Sequence, residues 1–178
     1  LTKMDYDADI VFFGDSITSG SEFQSCFTKW TIVELGIPGD TIIGMTKRIN
    51  MVKAVSPEKV FVLGGINSLT DYNSDKVLTQ YKNMIVSLID LLPNAEIYVQ
   101  SVLPISNEQE TVVCHNQSIL SFNKDLESTC FDLNVKYVDL FSLYEQNGSM
   151  NPELTKDGIH LNEDGYSVWA EEIKKYIE

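Results

Sequence analysis

Short apolar runs alternate with longer amphipathic stretches along the whole chain, and this alternation restricts the fold more than any other feature. Short continuous runs of this kind are typical of strands that are buried on both faces, as in a parallel sheet. Parallel strands need crossover connections, which are usually helices and are right-handed. The sequence therefore predicts an α/β fold, a three-layer α/β/α sandwich with a central parallel five-stranded sheet. The predicted strands are residues 10–13, 31–35, 60–63, 97–102 and 135–138.

Four stretches carry apolar residues at the spacing of one helix face. The clearest is 74–92, where Ser74 and Asp75 suit the start of a helix and a proline follows its end. The other predicted helices are residues 41–52, 116–133 and 162 to the C-terminus. Residues 105–113 have a polar centre, which predicts a surface loop near the substrate entrance.

Length and charge exclude several classes of protein. The 178 residues fit a single domain, residues 1–178, that is large enough to bury a substantial core. Thirteen basic against 26 acidic residues give a formal net charge of −13, which opposes binding to nucleic acid and to anionic lipid surfaces. No apolar run approaches the ~18 residues of a membrane span. We therefore expect no nucleic-acid partner and no integral membrane association.

The cysteines and histidines indicate neither a disulfide framework nor a metal site. Cys26, Cys114 and Cys130 are odd in number and lack metal-type spacing, so we expect mainly small core residues, although one bridged pair remains open. Two histidines without a ligand cluster do not make a usual catalytic metal site, so we expect no metal and no cofactor. No signal peptide is visible, but the sequence starts at Leu1 rather than Met, so the compartment stays open between the cytoplasm and the periplasm or secretion after signal removal. The oligomeric state is equally open.

The motif Gly14-Asp15-Ser16 follows the first predicted strand. In open α/β sheets, ligands bind in the crevice outside the carboxyl ends of the strands. A serine hydroxyl is a weak nucleophile and needs a base that is itself oriented by a third group. Asp157 and His160 stand three residues apart and offer this pair, so Ser16 is the candidate nucleophile. We expect Asp15 to fix the turn by bonding neighbouring backbone, and His115, without a carboxylate at matching spacing, to be an ordinary histidine.

Two further polar motifs follow the second and third strands. Gly39 lies in the break at residues 36–40, and Asn67 follows the glycines at 64 and 65. A glycine permits close approach of the backbone to a substrate, and an asparagine offers two uncharged amide donors. The carboxyl ends of parallel strands meet at one edge, and the last helix can bring residues 157–160 over that edge. The sequence therefore predicts that these motifs converge.

With these motifs in order, the chain resembles the SGNH hydrolases, the GDSL-type esterase and lipase superfamily, over essentially its whole length. The matching positions are Gly14-Asp15-Ser16-Ile17, Gly39, Asn67 after Gly65, and residues 157–162 followed by Gly165-Tyr166. The family often has aspartate after the block-three asparagine, whereas this chain has Ser68. Any anchoring that the aspartate provides is therefore in question here.

The resemblance implies the flavodoxin-like SGNH hydrolase fold and a Ser-His-Asp acyl-enzyme mechanism. Ser16 would attack an ester carbonyl, His160 would take the serine proton, and Asp157 would hold the imidazole. The backbone N–H groups of Ser16 and Gly39 and the side-chain amide of Asn67 would form the oxyanion hole. No cofactor or metal is implied.

The strongly acidic composition and the absence of a long apolar lid favour a short acyl group, such as acetyl, on a polar alcohol such as a carbohydrate. The expected partner is thus a small-molecule or glycan ester substrate. Lysophospholipase or thioesterase activity is the alternative within the resemblance, and a catalytically inactive carbohydrate-binding relative is another. A phosphate or nucleotide binder with a cradle at residues 14–20 leaves Asp157 and His160 unexplained. An α/β-hydrolase is excluded because its Gly-x-Ser-x-Gly elbow would need glycine where Thr18 stands.

Overall fold

The structure is a computed structural model that describes residues 7–178. Five parallel strands form one sheet in the order β2-β1-β3-β4-β5. Their bounds are β1 Ile10–Gly14, β2 Ile32–Gly36, β3 Lys59–Leu63, β4 Glu96–Gln100 and β5 Lys136–Val138. The predicted α/β fold with a five-stranded parallel sheet is confirmed, with strand ends that differ from the predicted ones by one or two residues.

Register brings the ends of three strands to the same level. Gly14 at the end of β1 lies beside Gly36 of β2 on one side and Leu63 of β3 on the other. The segments that leave these strands therefore start from one line along the carboxyl edge of the sheet. This is the edge at which ligands bind in open α/β sheets.

Nine α-helices connect the strands or follow the last one within the described part of the chain. They are α1 Ser16–Ser19, α2 Phe23–Cys26, α3 Ile42–Lys47, α4 Asn50–Ala54, α5 Ser74–Leu91, α6 Asn107–Glu110, α7 Asn116–Asp132, α8 Phe141–Tyr144 and α9 Glu163–Ile177. A two-stranded antiparallel ribbon, β6 Glu145–Gln146 and β7 Ser149–Met150, and a 3₁₀ helix, Pro152–Leu154, precede α9. Between residues 7 and 178 there is no helix whose length and apolarity would let it cross a membrane.

The sheet separates two apolar cores, as alternating side chains on a strand predict. Val11 and Phe13 of β1 belong to the core under α3, α4, α5 and α7, whereas Ile10 and Phe12 belong to the core that α1, α2, α8 and α9 cover. Helices therefore flank both faces of the sheet. The three-layer arrangement that the sequence predicted is confirmed.

Two local predictions differ from the structure. The single helix predicted over residues 41–52 is interrupted between α3 and α4, because the chain leaves helical geometry at Arg48, with φ −108° and ψ 15°. The loop predicted over residues 105–113 contains the short helix α6.

All three cysteines are free thiols; Cys114 and Cys130 are buried as expected, but Cys26 is exposed because α2 turns it away from the core.

Candidate active site

Ser16 is the first residue of α1, and only Asp15 separates it from the end of β1. The carboxylate of Asp15 accepts a hydrogen bond from the Ile17 N–H over 3.0 Å and so caps this short helix. A side chain at Gly14 would not fit, since a Cβ there would lie 2.2 Å from both the Leu63 carbonyl oxygen and Thr18 Oγ1. Glycine thus lets α1 fold closely over the ends of the strands. The prediction that Asp15 fixes the turn is confirmed.

Two consecutive hydrogen bonds link Ser16 to His160 and His160 to Asp157, and these three side chains form one hydrogen-bonded row. Ser16 Oγ lies 3.0 Å from His160 Nε2, and His160 Nδ1 lies 2.7 Å from Asp157 Oδ2. A carboxylate only accepts hydrogen bonds, so Nδ1 carries the proton and Nε2 is left as the acceptor for the serine hydroxyl. The row therefore has the polarity that a general base requires.

The backbone orients the Asp157 carboxylate. Its Oδ1 accepts the N–H groups of Ile159 over 3.0 Å and His160 over 2.8 Å. Partial burial acts to raise the pKa of Asp157, but these bonds and the imidazole outweigh it and hold the pKa below its usual value. The carboxylate is therefore ionised at neutral pH and can stabilise a charged imidazole.

The turn that carries Asp157 and His160 is held from two sides. Thr155 Oγ1 donates to the His160 carbonyl over 2.7 Å and accepts the Gly158 N–H over 2.9 Å. Across the cleft, the Ser106 N–H donates to the Gly158 carbonyl over 2.8 Å, and Gln109 Nε2 donates to the Asp157 carbonyl over 3.0 Å. The predicted loop over residues 105–113 thus braces the turn.

The carboxyl group of Asp15 is buried beneath this row, with a relative exposure of 1%. Burial raises its pKa to about 6, although the Ile17 N–H and the nearby His160 oppose the rise; Asp40 adds a like charge that increases it. Asp15 is therefore an acid that titrates far closer to neutrality than an exposed aspartate does.

Gly39 and Asn67 lie on neighbouring loops at the same edge of the sheet. Gly39 has φ +76°, and a Cβ built there would meet no atom within 4 Å. Its conformation favours glycine, and the space beside it is open. Asn67 is exposed, and its Nδ2 donates to the Asp40 carbonyl over 3.0 Å. This bond takes one of the two amide hydrogens and does not involve the other.

Ser68, which stands where the resemblance leads one to expect aspartate, is hydrogen-bonded through both its side chain and its backbone. Its Oγ accepts the Ile42 N–H over 3.0 Å, and its carbonyl accepts Asn73 Nδ2 over 2.8 Å. The loop after β3 is therefore tied to the start of α3 and to its own end. The departure from the family pattern leaves this loop well connected.

A small apolar cavity of about 10 Å³ lies next to the candidate residues and is lined by their neighbours. Its lining includes Ile17, Ile66 and Ile159, which are the immediate chain neighbours of Ser16, Asn67 and His160. Pro104 and Ile105 line it from the loop after β4. A space of this size holds about one water-sized group.

The second histidine is also paired with a carboxylate, which its sequence neighbours did not predict. His115 Nδ1 lies 2.7 Å from Asp71 Oδ2, and the His115 N–H donates to Asp71 Oδ1 over 2.8 Å. This pair raises the pKa of His115 and lowers the pKa of Asp71 to about 2. Ser118 donates its hydroxyl to Asp71 rather than to the imidazole, so the cluster lacks the polarity of the Ser16 row.

No metal site accompanies the row in the described part of the chain. No group of three or more His, Cys, Asp or Glu side chains that could hold a metal ion occurs among residues 7–178. The chemistry that this geometry supports is nucleophilic attack by a serine with a histidine as base.

Sequence reasoning missed the residues that brace the site. Ser106, Gln109 and Thr155 bond to main-chain atoms of the turn at residues 157–160. No sequence spacing identifies such partners. Arg48 was not predicted as a functional residue either. An arginine within the single helix predicted over residues 41–52 was a signal that could have identified it.

Solved structures resemble this chain over nearly its full length. A Streptococcus pneumonia protein, named provisionally as a platelet activating factor, superposes with a TM-score of 0.87 at 27% identity, over 98% of this chain and 86% of that one. An acetyl xylan esterase superposes with a TM-score of 0.78 at 20% identity, over 95% of this chain and 99% of that one. At this lower identity the likeness concerns the fold alone.

Curated relatives are much longer than this chain. The N-acylneuraminate cytidylyltransferase of Streptococcus agalactiae serotype V is 22% identical in an alignment 177 residues long, which covers 94% of this chain and 40% of that protein. This chain therefore spans well under half the length of the curated relatives that it matches, and the activity in their name is that of the longer protein.

The sequence profile of the GDSL-like Lipase/Acylhydrolase family matches residues 12–168. The match runs from within β1 into α9 and so includes the whole central sheet but for the first residues of β1. Because the profile covers most of the chain, this protein belongs to the GDSL-like Lipase/Acylhydrolase family.

Proposed function

We propose that this chain removes a short acyl group, in particular acetyl, from a polar alcohol such as a carbohydrate, through a Ser-His-Asp acyl-enzyme mechanism. The observation that carries the proposal is the row in which Ser16 Oγ lies 3.0 Å from His160 Nε2 and His160 Nδ1 lies 2.7 Å from Asp157. In this row Ser16 is the nucleophile, His160 the general base and Asp157 the group that orients and stabilises the imidazole.

The reaction proceeds in two halves. Ser16 Oγ bonds to the ester carbonyl carbon while its proton passes to His160 Nε2. The tetrahedral intermediate collapses, the bond to the alcohol breaks, and His160 gives the proton to the departing oxygen. Water then attacks the acyl-enzyme with His160 again as base, which releases the acid and restores Ser16.

The intermediate carries a negative oxygen that needs donors fixed in advance. We assign this oxyanion hole to the backbone N–H groups of Ser16 and Gly39 and to the amide of Asn67. Two observations support the assignment: the open space beside Gly39, and the Asn67 Nδ2 group, which is turned toward the Gly39–Asp40 loop by its bond to the Asp40 carbonyl.

The size of the apolar cavity supports a short acyl group. This cavity holds about one water-sized group and has no room for a long acyl chain. The lysophospholipase and thioesterase alternatives are therefore less well supported. The inactive carbohydrate-binding alternative is disfavoured because Ser16, His160 and Asp157 are all present and hydrogen-bonded.

Support for a carbohydrate as the alcohol comes from the names of similar proteins. The curated relatives are named for a transferase that acts on a sugar acid, and one structural neighbour is an acetyl xylan esterase. The net charge of −13 also favours a polar alcohol over an anionic lipid surface.

Hydrolysis of p-nitrophenyl acetate, butyrate and octanoate, followed by release of acetate from an acetylated oligosaccharide, tests the proposal. We expect the acetate ester to give the highest kcat/KM and Ser16→Ala to lower it by about 10³-fold or more. Ser118→Ala is the matched control, because Ser118 also stands beside an Asp–His pair but donates to the aspartate, and it should keep full activity.

Other outcomes of this series point to the alternatives. A preference for octanoate would replace the short-acyl proposal with a lysophospholipase or thioesterase activity. If the wild type is as inert as Ser16→Ala on every ester, the carbohydrate-binding alternative stands instead. Equal losses in Ser16→Ala and Ser118→Ala would remove Ser16 as the specific nucleophile.

A further inference from the structure

The loop that carries Gly39 has no packing at its tip. Gly39 has a positive φ of +76° and open space where a side chain would stand. An oxyanion donor must be fixed before the reaction begins, since a donor that has to be ordered during the reaction loses most of its effect. The position of the Gly39 N–H must therefore be set by the residues on either side of it.

Asp40 is the anchor on the C-terminal side of Gly39. Its Oδ1 accepts the Thr41 N–H over 2.9 Å, and its Oδ2 accepts Arg48 Nε over 2.6 Å. Its carbonyl oxygen accepts Asn67 Nδ2 over 3.0 Å. The same residue thus fixes the end of the Gly39 loop and orients the Asn67 amide.

Arg48 joins this anchor to the sheet. Nη1 donates to the Leu35 carbonyl over 2.9 Å, and Nη2 donates to the Gly14 carbonyl over 2.6 Å. The guanidinium also lies 4.6 Å from the centre of the Phe13 ring. The Gly14 carbonyl accepts the Ile37 N–H over 3.1 Å as well, which fixes the N-terminal side of the loop.

One side chain therefore connects the end of β1, the end of β2 and the Gly39 loop. The side chains of Arg48 and Asp40 are only 12% and 11% exposed, so water replaces their bonds poorly. Only a guanidinium has the planar fork of donors that reaches three acceptors at once, and a lysine ammonium would satisfy fewer of them.

We propose that Arg48, through Asp40, is a positioning residue that holds Gly39 and Asn67 in the arrangement of an oxyanion hole. This inference rests on the proposed function. Arg48 does not touch the reacting atoms; it sets the geometry of the two groups that do. Arg48 lies at the interruption between α3 and α4, and its side chain is directed to the strand ends.

A double-mutant cycle separates positioning from a general structural effect. Arg48→Met and Asn67→Ala are measured singly and together on p-nitrophenyl acetate, each below its melting range. We expect Arg48→Met to lower kcat by about 10²-fold with little change in KM, and Asn67→Ala to lower it by about 10²–10³-fold. The double variant should lose clearly less than the product of the two single losses, because part of the Arg48→Met effect passes through Asn67. Effects that multiply would overturn the proposal.

Two further variants serve as comparisons for Arg48→Met. Arg48→Lys keeps the charge but loses the fork, so its kcat should lie between those of the wild type and Arg48→Met. Lys59→Met is the matched control: Lys59 pairs with Glu96 at the opposite edge of the sheet and is 20% exposed. It should leave kcat unchanged, and a loss equal to that of Arg48→Met would contradict a specific role for Arg48.

Amide hydrogen exchange tests the positioning without any activity. In Arg48→Met, the hydrogen-bonded amides of Ile37 and Asp40 should exchange about tenfold faster or more than in the wild type, whereas Lys59→Met should leave them unchanged. An unaltered loop in Arg48→Met would overturn the proposal. If the wild type is as inert as Ser16→Ala, the proposed function fails, and the exchange measurement alone decides whether Arg48 positions Gly39.

Discussion

At the scale of single residues, Asp15 is subject to two opposing demands. Its carboxylate caps α1 by accepting the Ile17 N–H over 3.0 Å, which favours the charged form. Its burial to 1% exposure disfavours the charge and raises the pKa to about 6. The group must therefore give up its proton inside the protein at a higher pH than in the unfolded chain.

Asp15→Asn should change how stability depends on pH. The folded protein holds the Asp15 proton more tightly than the unfolded chain, so its free energy of unfolding falls as pH rises from about 4 through about 6. A pKa raised to about 6 corresponds to a total loss of about 3 kcal/mol. An asparagine keeps an oxygen that can accept the Ile17 N–H but has no proton to lose. In urea unfolding at about pH 4 and about pH 7.5, the variant should gain up to that amount relative to the wild type at the higher pH. A difference that is equal at both pH values would contradict this.

The residues that sequence reasoning found are those whose chemistry is local. Asp157 and His160 stand three apart and bond each other, and Ser16 follows a strand within one motif. The role of Arg48 was not predicted, because its partners include two main-chain carbonyls on different strands. Asp71, the carboxylate partner of His115, was not predicted because it lies 44 residues away along the chain. Contacts that depend on how strands come together cannot be found from spacing alone.

At the scale of elements, the long helices and the strands followed from periodicity, and the short elements did not. The helices predicted at 74–92 and 116–133 are α5 and α7 within one residue. The short helix α6 has no buried residue, so no apolar pattern marked it. Yet the segment that contains α6 braces the turn of Asp157 and His160 through Ser106 and Gln109.

Gly158→Ala should disturb this brace and reduce activity. Gly158 has φ +88°, and a Cβ there would lie 2.2 Å from Ser106 Oγ, so the new methyl group must push Ser106 or the turn that holds His160. We expect a loss of about 1–3 kcal/mol in stability and a kcat at least about tenfold lower, because a small displacement of a catalytic group is costly. Unfolding and p-nitrophenyl acetate hydrolysis measure the two effects.

Gly148→Ala is the matched control for this variant. Gly148 has φ +81°, close to that of Gly158, but a Cβ there meets no atom within 4 Å. It should show the backbone cost of about 1–2 kcal/mol and keep its kcat. If both variants lose activity equally, the brace between Ser106 and Gly158 does not position the base.

At the scale of the whole molecule, the two cores differ in composition. The core under α9 is rich in aromatic rings: Trp169 meets Phe12 and Phe23 edge-on, with ring centres 6.1 and 4.8 Å apart. Because α9 begins three residues after His160, its attachment to this core also fixes one end of the catalytic turn. The alternation of apolar runs with amphipathic stretches predicted a sheet with two covered faces, but not which face carries the aromatic residues. That residues 1–178 form a single domain stays a prediction.

Trp169→Phe should test how firmly α9 is attached. Trp169 is fully buried and donates from Nε1 to Gln100 Oε1 over 2.6 Å, and Gln100 is itself fully buried. The change removes part of a packed ring and leaves a buried amide oxygen without its donor, which together cost about 2–4 kcal/mol. Trp30→Phe is the control, since Trp30 is only partly buried and should cost less than about 1 kcal/mol. Urea unfolding followed by circular dichroism measures both, and equal losses would mean that the bond to Gln100 contributes nothing to holding α9.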